Sequence, residues 1–384
     1  MTTYDWIVIG AGITGASLAY ELSQQNFKVL LLEKDSQPDN ATLYSYGGLA
    51  YWSGTNELTR TLGQEGIELH RHLSAELEAD TEFRELDLVL TIDRQDDPET
   101  IARLYDRFAK VPELLNVRDA CILEPLLNPN AISGVLKLPH GHIHGQKTTD
   151  AYVRAFIRNG GEVVYERVID LIYREDKVTG ILTEINSYSG KHTVICAGGL
   201  SRSLLQHVNI AVDNRFTLSQ LITTPPMDLE LATVVMPAVQ QRFALEAQSA
   251  LETTELVDNT ILDPGAVQFL DGSLCMGQIS TVADNSQPDL TTAEAQIRDR
   301  VGNVLPLLED ISGTCHNCLV AYNNEGIALV GNIASILGLY IFSGFTSTLV
   351  YAPVLARRFA RSQTGTEDRI IEQLQSTLNS ATSS

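Results

Sequence analysis

The chain has 384 residues, of which 44% are apolar and 20% are charged, and its formal net charge is −21. This length and composition are typical of a globular protein with two domains, or three. The acidic charge argues against nucleic acid and anionic lipid surfaces as partners, because both require clustered Lys and Arg.

The sequence shows no targeting or membrane signal. Its first residues lack the basic region of a signal peptide, and no run of eighteen apolar residues offers a membrane span. The five cysteines follow no framework spacing, and we interpret them as reduced thiols of a cytoplasmic protein. The tail from about Ser362 is polar and is expected to be a loose end. The oligomeric state is not indicated.

A glycine-rich turn lies between two apolar runs near the N-terminus. Residues 6–9 predict a buried strand, residues 16–22 follow helical spacing, and residues 29–32 predict a second strand that ends at Glu33. The sequence of the turn, residues 10–15, is Gly-Ala-Gly-Ile-Thr-Gly. A strand, a glycine turn, a helix and a following acid together form a βαβ unit that binds dinucleotides.

Each part of this motif has a physical role. Gly10 permits the tight turn, Gly12 lets a pyrophosphate approach the backbone, and Gly15 lets the helix pack close to the strand. The helix N-terminus offers free N–H groups to the phosphates. Glu33 is placed to accept hydrogen bonds from ribose hydroxyls, which disfavours NADP and leaves NAD and FAD as the alternatives.

Further segments of the chain decide between NAD and FAD, because they resemble those of a known family. They are residues 44–49, 145–164 with 168–169, 194–201, 326–331 and 338–345. Together with residues 4–33 they resemble the D-amino-acid oxidase family of flavoproteins, in the broad sense that includes glycine oxidase and sarcosine oxidase. The resemblance spans nearly the whole chain and implies FAD as the cofactor.

The resemblance implies an α/β fold with a Rossmann-like FAD-binding domain and a second α+β substrate domain on a largely antiparallel sheet. We expect a discontinuous FAD-binding domain over residues 1–80, 141–214 and 311–384, and a substrate domain over residues 81–140 and 215–310. Helices are predicted over residues 57–77 and 348–361. A hairpin is predicted at Asp271-Gly272. The flavin ring is expected between the domains.

The motif and the resemblance together give a set of residues expected to contact FAD. These are Gly10, Ala11, Gly12, Ile13, Thr14, Gly15, Glu33, Lys34, Ser45, Gly47, Gly48, Leu49, Val168, Ala197, Gly198, Gly199, Gly344, Phe345, Thr346, Ser347 and Thr348.

The residues that would carry the chemistry depart from the family pattern. Amino-acid oxidases of this group often place an Arg before the C-terminal turn, and that position here falls near Val320. Residues 345–348 also lack the usual His, Arg or Lys. A substrate carboxylate would require a replacement cation. The candidates are Arg60, Arg242 and Lys147, each of which is also interpretable as a surface charge. The catalytic residues are unknown, with Arg60, Tyr351 and Thr346 as candidates.

Several histidines have a pattern of their own. His140, His142 and His144 alternate, so an extended segment would turn them to one side. They are interpretable as a metal site, a pH-sensitive wall of the active site, or a polar loop; we predict no metal. His70 and His72 lie two apart on a predicted helix and are expected at the surface.

Cys315 and Cys318 form a lone CxxC, and zinc would need two more ligands. Cys318 stands seven residues before Glu325. The resemblance to monomeric sarcosine oxidase, where a cysteine at this spacing is bonded to the flavin, implies a covalent flavin link at Cys318. The alternative is a buried structural thiol.

Three functions remain open. The first is FAD-dependent oxidation of a small amine or amino acid by hydride transfer to flavin, with oxygen or another acceptor taking the electrons. The second is a flavin-dependent 2-hydroxy acid dehydrogenase. The third is an FAD-binding protein without catalysis, because a fold does not determine a function.

Overall fold

The computed structural model describes residues 3–207, 214–239, 260–282, 289–323 and 326–382. The strands of the described part are β1 Thr3–Ile9, β2 Val29–Glu33, β3 Gly48–Leu49, β4 Arg84–Asp93, β5 Glu113–Leu115, β6 Ile132–His142, β7 Glu162–Tyr165, β8 Val168–Arg174, β9 Lys177–Thr183, β10 Ser187–Ile195, β11 Asn214–Thr223, β12 Val234–Pro237, β13 Thr260–Gln268, β14 Leu274–Thr281, β15 Thr314–Asn323, β16 Leu329–Asn332 and β17 Leu339–Ser343. Its helices are α1 Ile13–Gln24, α2 Glu57–Glu76, α3 Pro98–Arg103, α4 Val117–Leu123, α5 Gly145–Arg158, α6 Ser201–His207, α7 Leu290–Val304, α8 Thr348–Ser362 and α9 Arg369–Thr382, with 3₁₀ turns at Gly198–Leu200 and Pro306–Leu308.

The first sheet has the order β16-β17-β10-β1-β2-β7, with β9 beside β10 and β8 beside β9. β1 runs parallel to both β2 and β10. Trp6 and Val8 of β1 pack into one apolar core, while Ile7 and Ile9 pack into another. Because both faces of β1 are covered, its sequence is a continuous apolar run.

The second sheet has the order β15-β11-β14-β13-β12-β4-β6-β3, with β5 on β6. β12 pairs with β4 in parallel, and the other described pairs of this sheet are antiparallel. Its Ile222 and Met276 pack in one core with Ile297 of α7. The predicted α/β fold class is therefore confirmed. The proposed domain bounds stay a prediction; β3 and β15 pair within the second sheet.

Several predicted elements are present. The helix predicted over residues 57–77 is α2, whose N-terminus has a capping box between Asn56 and Thr59. The predicted turn at Asp271-Gly272 joins β13 and β14, and Gly272 has a φ of +87°. The helix predicted over residues 348–361 is α8.

Two expectations about surface position are wrong. The tail is not loose, because α9 packs its buried Ile371, Leu374 and Leu378 on the first-sheet side of the protein. His70 is not at the surface: it is 1% exposed, and its Nε2 lies 2.8 Å from the Leu349 carbonyl oxygen. The helical spacing placed His70 on the face of α2 that packs on α8. No helix within the described ranges has the length and apolar character to cross a membrane.

Candidate functional site

The glycine turn joins β1 to α1 with very little space. Gly10 has a φ of +102°, and a Cβ there would lie 2.7 Å from the Cys196 carbonyl oxygen. A Cβ on Gly15 would lie 1.8 Å from the Gly10 carbonyl oxygen. A Cβ on Gly12 would meet only the Thr42 Oγ1, at 3.2 Å. Gly10 and Gly15 are therefore required by packing, whereas Gly12 keeps the approach to the backbone open.

Glu33, at the end of β2, is tied to this turn. Its Oε2 accepts a hydrogen bond from the Ala11 N–H at 2.8 Å, and its Oε1 accepts one from the Lys34 N–H at 2.9 Å. The Oε1 also accepts the Asp35 N–H at 3.4 Å. The Oε2 has a second lone pair, so Glu33 keeps acceptor capacity for a ligand there. α1 begins after Gly12, which caps it without a side chain. The Ile13 N–H donates to the Thr42 Oγ1 at 3.2 Å, and the N–H groups of this first turn have no partner within the helix.

A single cavity of ≈ 1370 Å³ runs from the glycine turn to the second sheet. Most of the residues expected to contact FAD line it: Gly10, Gly12, Ile13, Thr14, Glu33, Lys34, Ser45, Gly48, Val168, Ala197, Gly198, Gly199, Gly344, Phe345, Thr346, Ser347 and Thr348. The other four expected residues, Ala11, Gly15, Gly47 and Leu49, are not among the described lining residues.

Gly47 and Gly48 lie close to two histidines of β6, and Gly47 lies closer still to the Ile143 carbonyl oxygen. A Cβ on Gly48 would lie 2.7 Å from the His140 Nε2, and one on Gly47 would lie 3.0 Å from the His142 Nε2. Both imidazoles therefore face the same segment, as the alternation predicted. Burial lowers the pKa of His140 to about 4 and, with the nearby Arg84, that of His142 to about 3. Both are neutral at pH 7.

The three alternating histidines divide between different roles. His140 lines the cavity, and His142 is buried beneath Gly47. His144 caps α5, where its Nδ1 accepts the Lys147 N–H at 3.4 Å. Across the described ranges, no group of three His, Cys, Asp or Glu residues is placed to hold a metal ion.

We call the part of the cavity lined by the second sheet and the adjoining turns the chamber. Its lining residues are Tyr46, Trp52, Leu88, Leu104, Tyr105, Arg107, Phe108, His140, Ser219, Leu221, Val234, Met236, Ala238, Gln278, Asn317, Cys318 and Val320. Apolar and aromatic side chains predominate. The carboxylates among the described lining residues lie elsewhere: Glu33 ends β2, Asp35 and Asp39 follow it, and Glu166 precedes β8.

The opposite wall is the loop between β17 and α8. Gly344 and Ser347 have φ values of +65° and +46°, so both lie in the left-handed region. The Thr346 N–H donates a hydrogen bond to the Ile327 carbonyl oxygen at 2.8 Å. Ser347 is the N-cap of α8, so the first turn of that helix adjoins the cavity. Such an N-terminus attracts negative charge.

The catalytic candidates differ in position. Thr346 and Tyr351 line the cavity, but Arg60 and Lys147 do not. Arg60 is exposed and donates to the carbonyl oxygens of Gly54 and Arg107. Lys147 pairs with Glu82. Arg242 lies outside the described residues.

No sign in the sequence indicated Trp52 or Arg107 in the chamber, nor the pairing between Trp52 and His140. Trp52 and Arg107 lie in turns of the chain without a motif, and the hydrogen bond that joins Trp52 to His140 spans 88 positions. No local pattern signals such a pairing. The alternation at residues 140–144 was the one available signal for His140.

β15 separates the two cysteines of the CxxC. An odd spacing places them on opposite faces of a strand. Cys318 is 7% exposed and lines the cavity, whereas Cys315 packs in the core with α7. Burial raises the pKa of Cys315 to about 11. Glu325, which set the spacing argument, lies outside the described residues. The covalent flavin link stays a prediction.

These features fit FAD: a glycine turn with an open approach at Gly12, an acid with a spare acceptor, and a cavity that also adjoins the N-terminus of α8. Residues 5–362 match the family model described as FAD dependent oxidoreductase (DAO). The chain belongs to this family. It is an FAD-dependent oxidoreductase, and the glycine turn and Glu33 are the parts of the chain suited to hold the nucleotide end of its cofactor.

The relatives that match this chain are named for different activities. Glycine oxidase from Pseudomonas aeruginosa is 24% identical over 95% of its own length and 94% of this chain. Glycerol 3-phosphate dehydrogenase from Caloramator mitchellensis is 31% identical over 51% of this chain, and the match spans only 42% of that relative. The structure of glycine oxidase from Bacillus cereus ATCC 14579 has a TM-score of 0.79 at 20% identity, covering 96% of this chain and all of the other. The structural likeness shows the fold.

Proposed function

We propose that this family member oxidises a C–N bond of a small amine or amino acid, with hydride transfer to FAD and final electron transfer to oxygen or another acceptor. One observation carries the proposal: the chamber is walled by apolar and aromatic side chains, and its described lining contains no carboxylate. Bound FAD supplies the two-electron acceptor.

An apolar wall favours the neutral form of an amine, because burial penalises the charged ammonium. Leu88, Leu221 and Met236 would desolvate the amine in this way. A neutral amine has the nitrogen lone pair that assists loss of hydride from the adjacent carbon. The chamber therefore needs no ionised base to begin the reaction.

An alcohol has a different requirement. Its O–H proton must pass to a base during oxidation, which calls for a group within hydrogen-bond reach. His140 is the one histidine among the described residues of the chamber, and its Nδ1 already accepts the Trp52 indole N–H. This arrangement supports the amine over the alcohol.

The likeness to glycine oxidase along nearly the full chain also supports amine oxidation. The partial likeness to glycerol 3-phosphate dehydrogenase supports oxidation of a C–OH bond as the second candidate. A flavin dehydrogenase for hydroxy acids is therefore kept as the alternative, with an FAD-binding protein without catalysis as the third.

The test is anaerobic mixing of the holoenzyme with matched pairs of compounds, such as benzylamine with benzyl alcohol and alanine with lactate. We expect the amine of at least one pair to bleach the oxidised flavin absorbance while its hydroxyl partner does not. Bleaching by hydroxyl compounds alone would contradict the proposal. Absence of bleaching with every amine, for a protein that dithionite reduces normally, would favour the non-catalytic alternative.

A further inference from the structure

Three cationic side chains are found among the described residues that line the cavity. Lys34 pairs with Asp35, and the Arg167 Nε lies 3.7 Å from the Glu184 Oε1. Both belong to the end of the cavity near the glycine turn and β8. The third is Arg107, in the chamber, and among the described residues no ion pair of its guanidinium is found.

Arg107 is held in place although its side chain is exposed. Its guanidinium carbon lies 5.1 Å from the ring centroid of Phe108, a cation–π distance. Its carbonyl oxygen accepts a hydrogen bond from the Arg60 Nη2 at 3.2 Å. The Lys110 N–H donates to the Trp52 carbonyl oxygen at 3.3 Å. The turn is thus anchored at Arg107 itself and at Lys110. Because Arg107 is exposed and also lines the cavity, we place it at the rim of the chamber.

An aromatic wall extends inward from this rim. Trp52, Tyr105 and Phe108 contact one another, with ring centroids 5.2 to 6.2 Å apart. The Trp52 Nε1 donates to the His140 Nδ1 at 3.1 Å, and the Tyr105 hydroxyl donates to the Ala238 carbonyl oxygen at 2.6 Å. Because the polar atoms of both rings are bonded to protein, this wall offers a ligand its apolar ring surfaces.

We propose that Arg107 binds an anionic group of the substrate at the rim, and that the aromatic wall packs an apolar stretch joining that group to the C–N bond inside the chamber. The substrate class is then an amphipathic amine whose carboxylate or phosphate lies at the end remote from the oxidised bond. This rests on the proposed function for the identity of the reacting bond.

The position of Arg107 differs from the position expected of a cation that binds an α-amino acid. That expectation placed the cation near position 320, and the structure has the apolar Val320 in β15 lining the cavity there. Arg107 stands on an exposed turn after α3 and position 320 lies within β15, so cations at the two places would meet different parts of a substrate. Arg107 therefore selects for length between the two functional groups as well as for charge.

The experiment measures equilibrium binding to the holoenzyme through perturbation of the flavin absorbance, with no turnover. The probes are 3-phenylpropionate, its neutral amide, and 2-phenylethyl phosphate. We expect one of the anions to bind the natural sequence about tenfold more tightly than the amide, as one guanidinium–anion contact at a partly exposed site provides. R107Q is expected to reduce this ratio to about one.

The matched control is R103Q. Arg103, at the end of α3, is exposed, bonds Thr100 and does not line the cavity, so its loss removes the same charge nearby. We expect R103Q to keep the preference for the anion. Far-UV circular dichroism and flavin content verify that both variants fold.

Each outcome has one meaning. An anion preference that survives in R107Q, is lost equally in R103Q, or is absent from the natural sequence overturns the inference. A preference for the phosphate probe that depends on Arg107 supports the same site and identifies the anion as a phosphate. Binding is measured here without oxidation, so this test is independent of the substrate panel. If no amine bleached the flavin, the proposed function would be contradicted while the anion site at Arg107 could still be supported.

Discussion

The indole nitrogen of Trp52 donates a hydrogen bond to the Nδ1 of His140, 3.1 Å away, and both side chains are buried at the wall of the chamber. Since Nδ1 is the acceptor, the proton of this neutral imidazole resides on Nε2. That atom lies against Gly48, on the segment expected beside the flavin. Trp52 thus sets the tautomer of a cavity-lining donor.

Replacing Trp52 with Phe removes the indole donor. We expect the imidazole of His140 to lose its fixed tautomer, and kcat to fall about tenfold for whichever amine the substrate panel identifies. A shift in the visible flavin spectrum is expected alongside, because the donor beside Gly48 changes. The measurements are steady-state kinetics and the absorbance spectrum of the holoenzyme.

The control is W6F, since Trp6 is the other tryptophan and lies in the core beneath the first sheet. That variant is expected to lose stability from reduced packing, while the flavin spectrum of the folded fraction stays unchanged. Identical spectra and kcat values for W52F and W6F would show that the hydrogen bond to His140 has no part in the reaction.

Substitutions at two glycines of the turn distinguish an effect on packing from an effect on cofactor binding. G15A would place a Cβ 1.8 Å from the Gly10 carbonyl oxygen, so we expect it to lower the free energy of unfolding by more than about 2 kcal/mol even without FAD. G12A meets only the Thr42 hydroxyl, so we expect a stable fold with weakened FAD binding, because the methyl group occupies the phosphate approach.

Urea unfolding of the apoprotein and fluorescence titration with FAD measure these two effects. G160A serves as the control for conformation, because Gly160 has a φ of +84° and nothing lies within 4 Å of the added Cβ. FAD affinity equal to that of the natural sequence in G12A would argue against a phosphate at this turn.

Buried histidines make the fold sensitive to acid. Burial lowers the pKa of His70 and His140 to about 4, against about 6.5 in an unfolded chain. The unfolded state therefore binds protons first as the pH falls below about 6.5. The stabilisation is fully present above that pH and is lost progressively as the pH approaches 4, at a slope of up to about 1.4 kcal/mol per pH unit for each histidine.

The variant H70Q tests the contribution of His70 to this loss of stability in acid, with a control in the same helix. Glutamine keeps an N–H donor for the Leu349 carbonyl oxygen and cannot be protonated in this range. We expect the free energy of unfolding to fall less steeply between pH 6.5 and pH 5 in H70Q than in the natural sequence. H72Q, at an exposed position two residues away, should leave the slope unchanged. Equal slopes in all three proteins would contradict the assignment.

A covalent bond between Cys318 and the flavin can be tested directly. If it is bonded to the flavin, acid precipitation leaves the yellow colour in the pellet, C318S releases the flavin, and C315S does not, because Cys315 packs on the other side of β15. Release of all flavin from the natural sequence would remove the covalent link from consideration and leave Cys318 as a buried thiol of the cavity wall.

The sequence predicted those features whose signal is local. The glycine turn, the strand before it and the acid after it lie within about thirty residues, and each element constrains the next. The strand β1 was recognisable because burial on both faces leaves an uninterrupted apolar run. The family resemblance extended this to the cofactor and the fold.

Features that depend on long-range packing were not predictable. His70 shares helical spacing with the buried Ile67 and Leu73 of α2, but its polar side chain gave no sign of the partner in α8 that buries it. α9 reads as a polar tail because its three buried residues, Ile371, Leu374 and Leu378, are spaced among polar ones. Arg107 belongs to the chamber only because its turn is tied to Arg60 and Trp52, which lie about fifty positions earlier.

The cavity has walls from both sheets, since Gly10 and Ala197 adjoin the first and Leu88 and Leu221 belong to the second. A nucleotide that fills it contacts both, so its binding energy adds directly to the energy needed to unfold the chain. Each tenfold rise in free FAD above the dissociation constant contributes about 1.4 kcal/mol. A fall in free FAD would therefore enlarge the unfolded fraction of this protein, which is the form that proteases cleave.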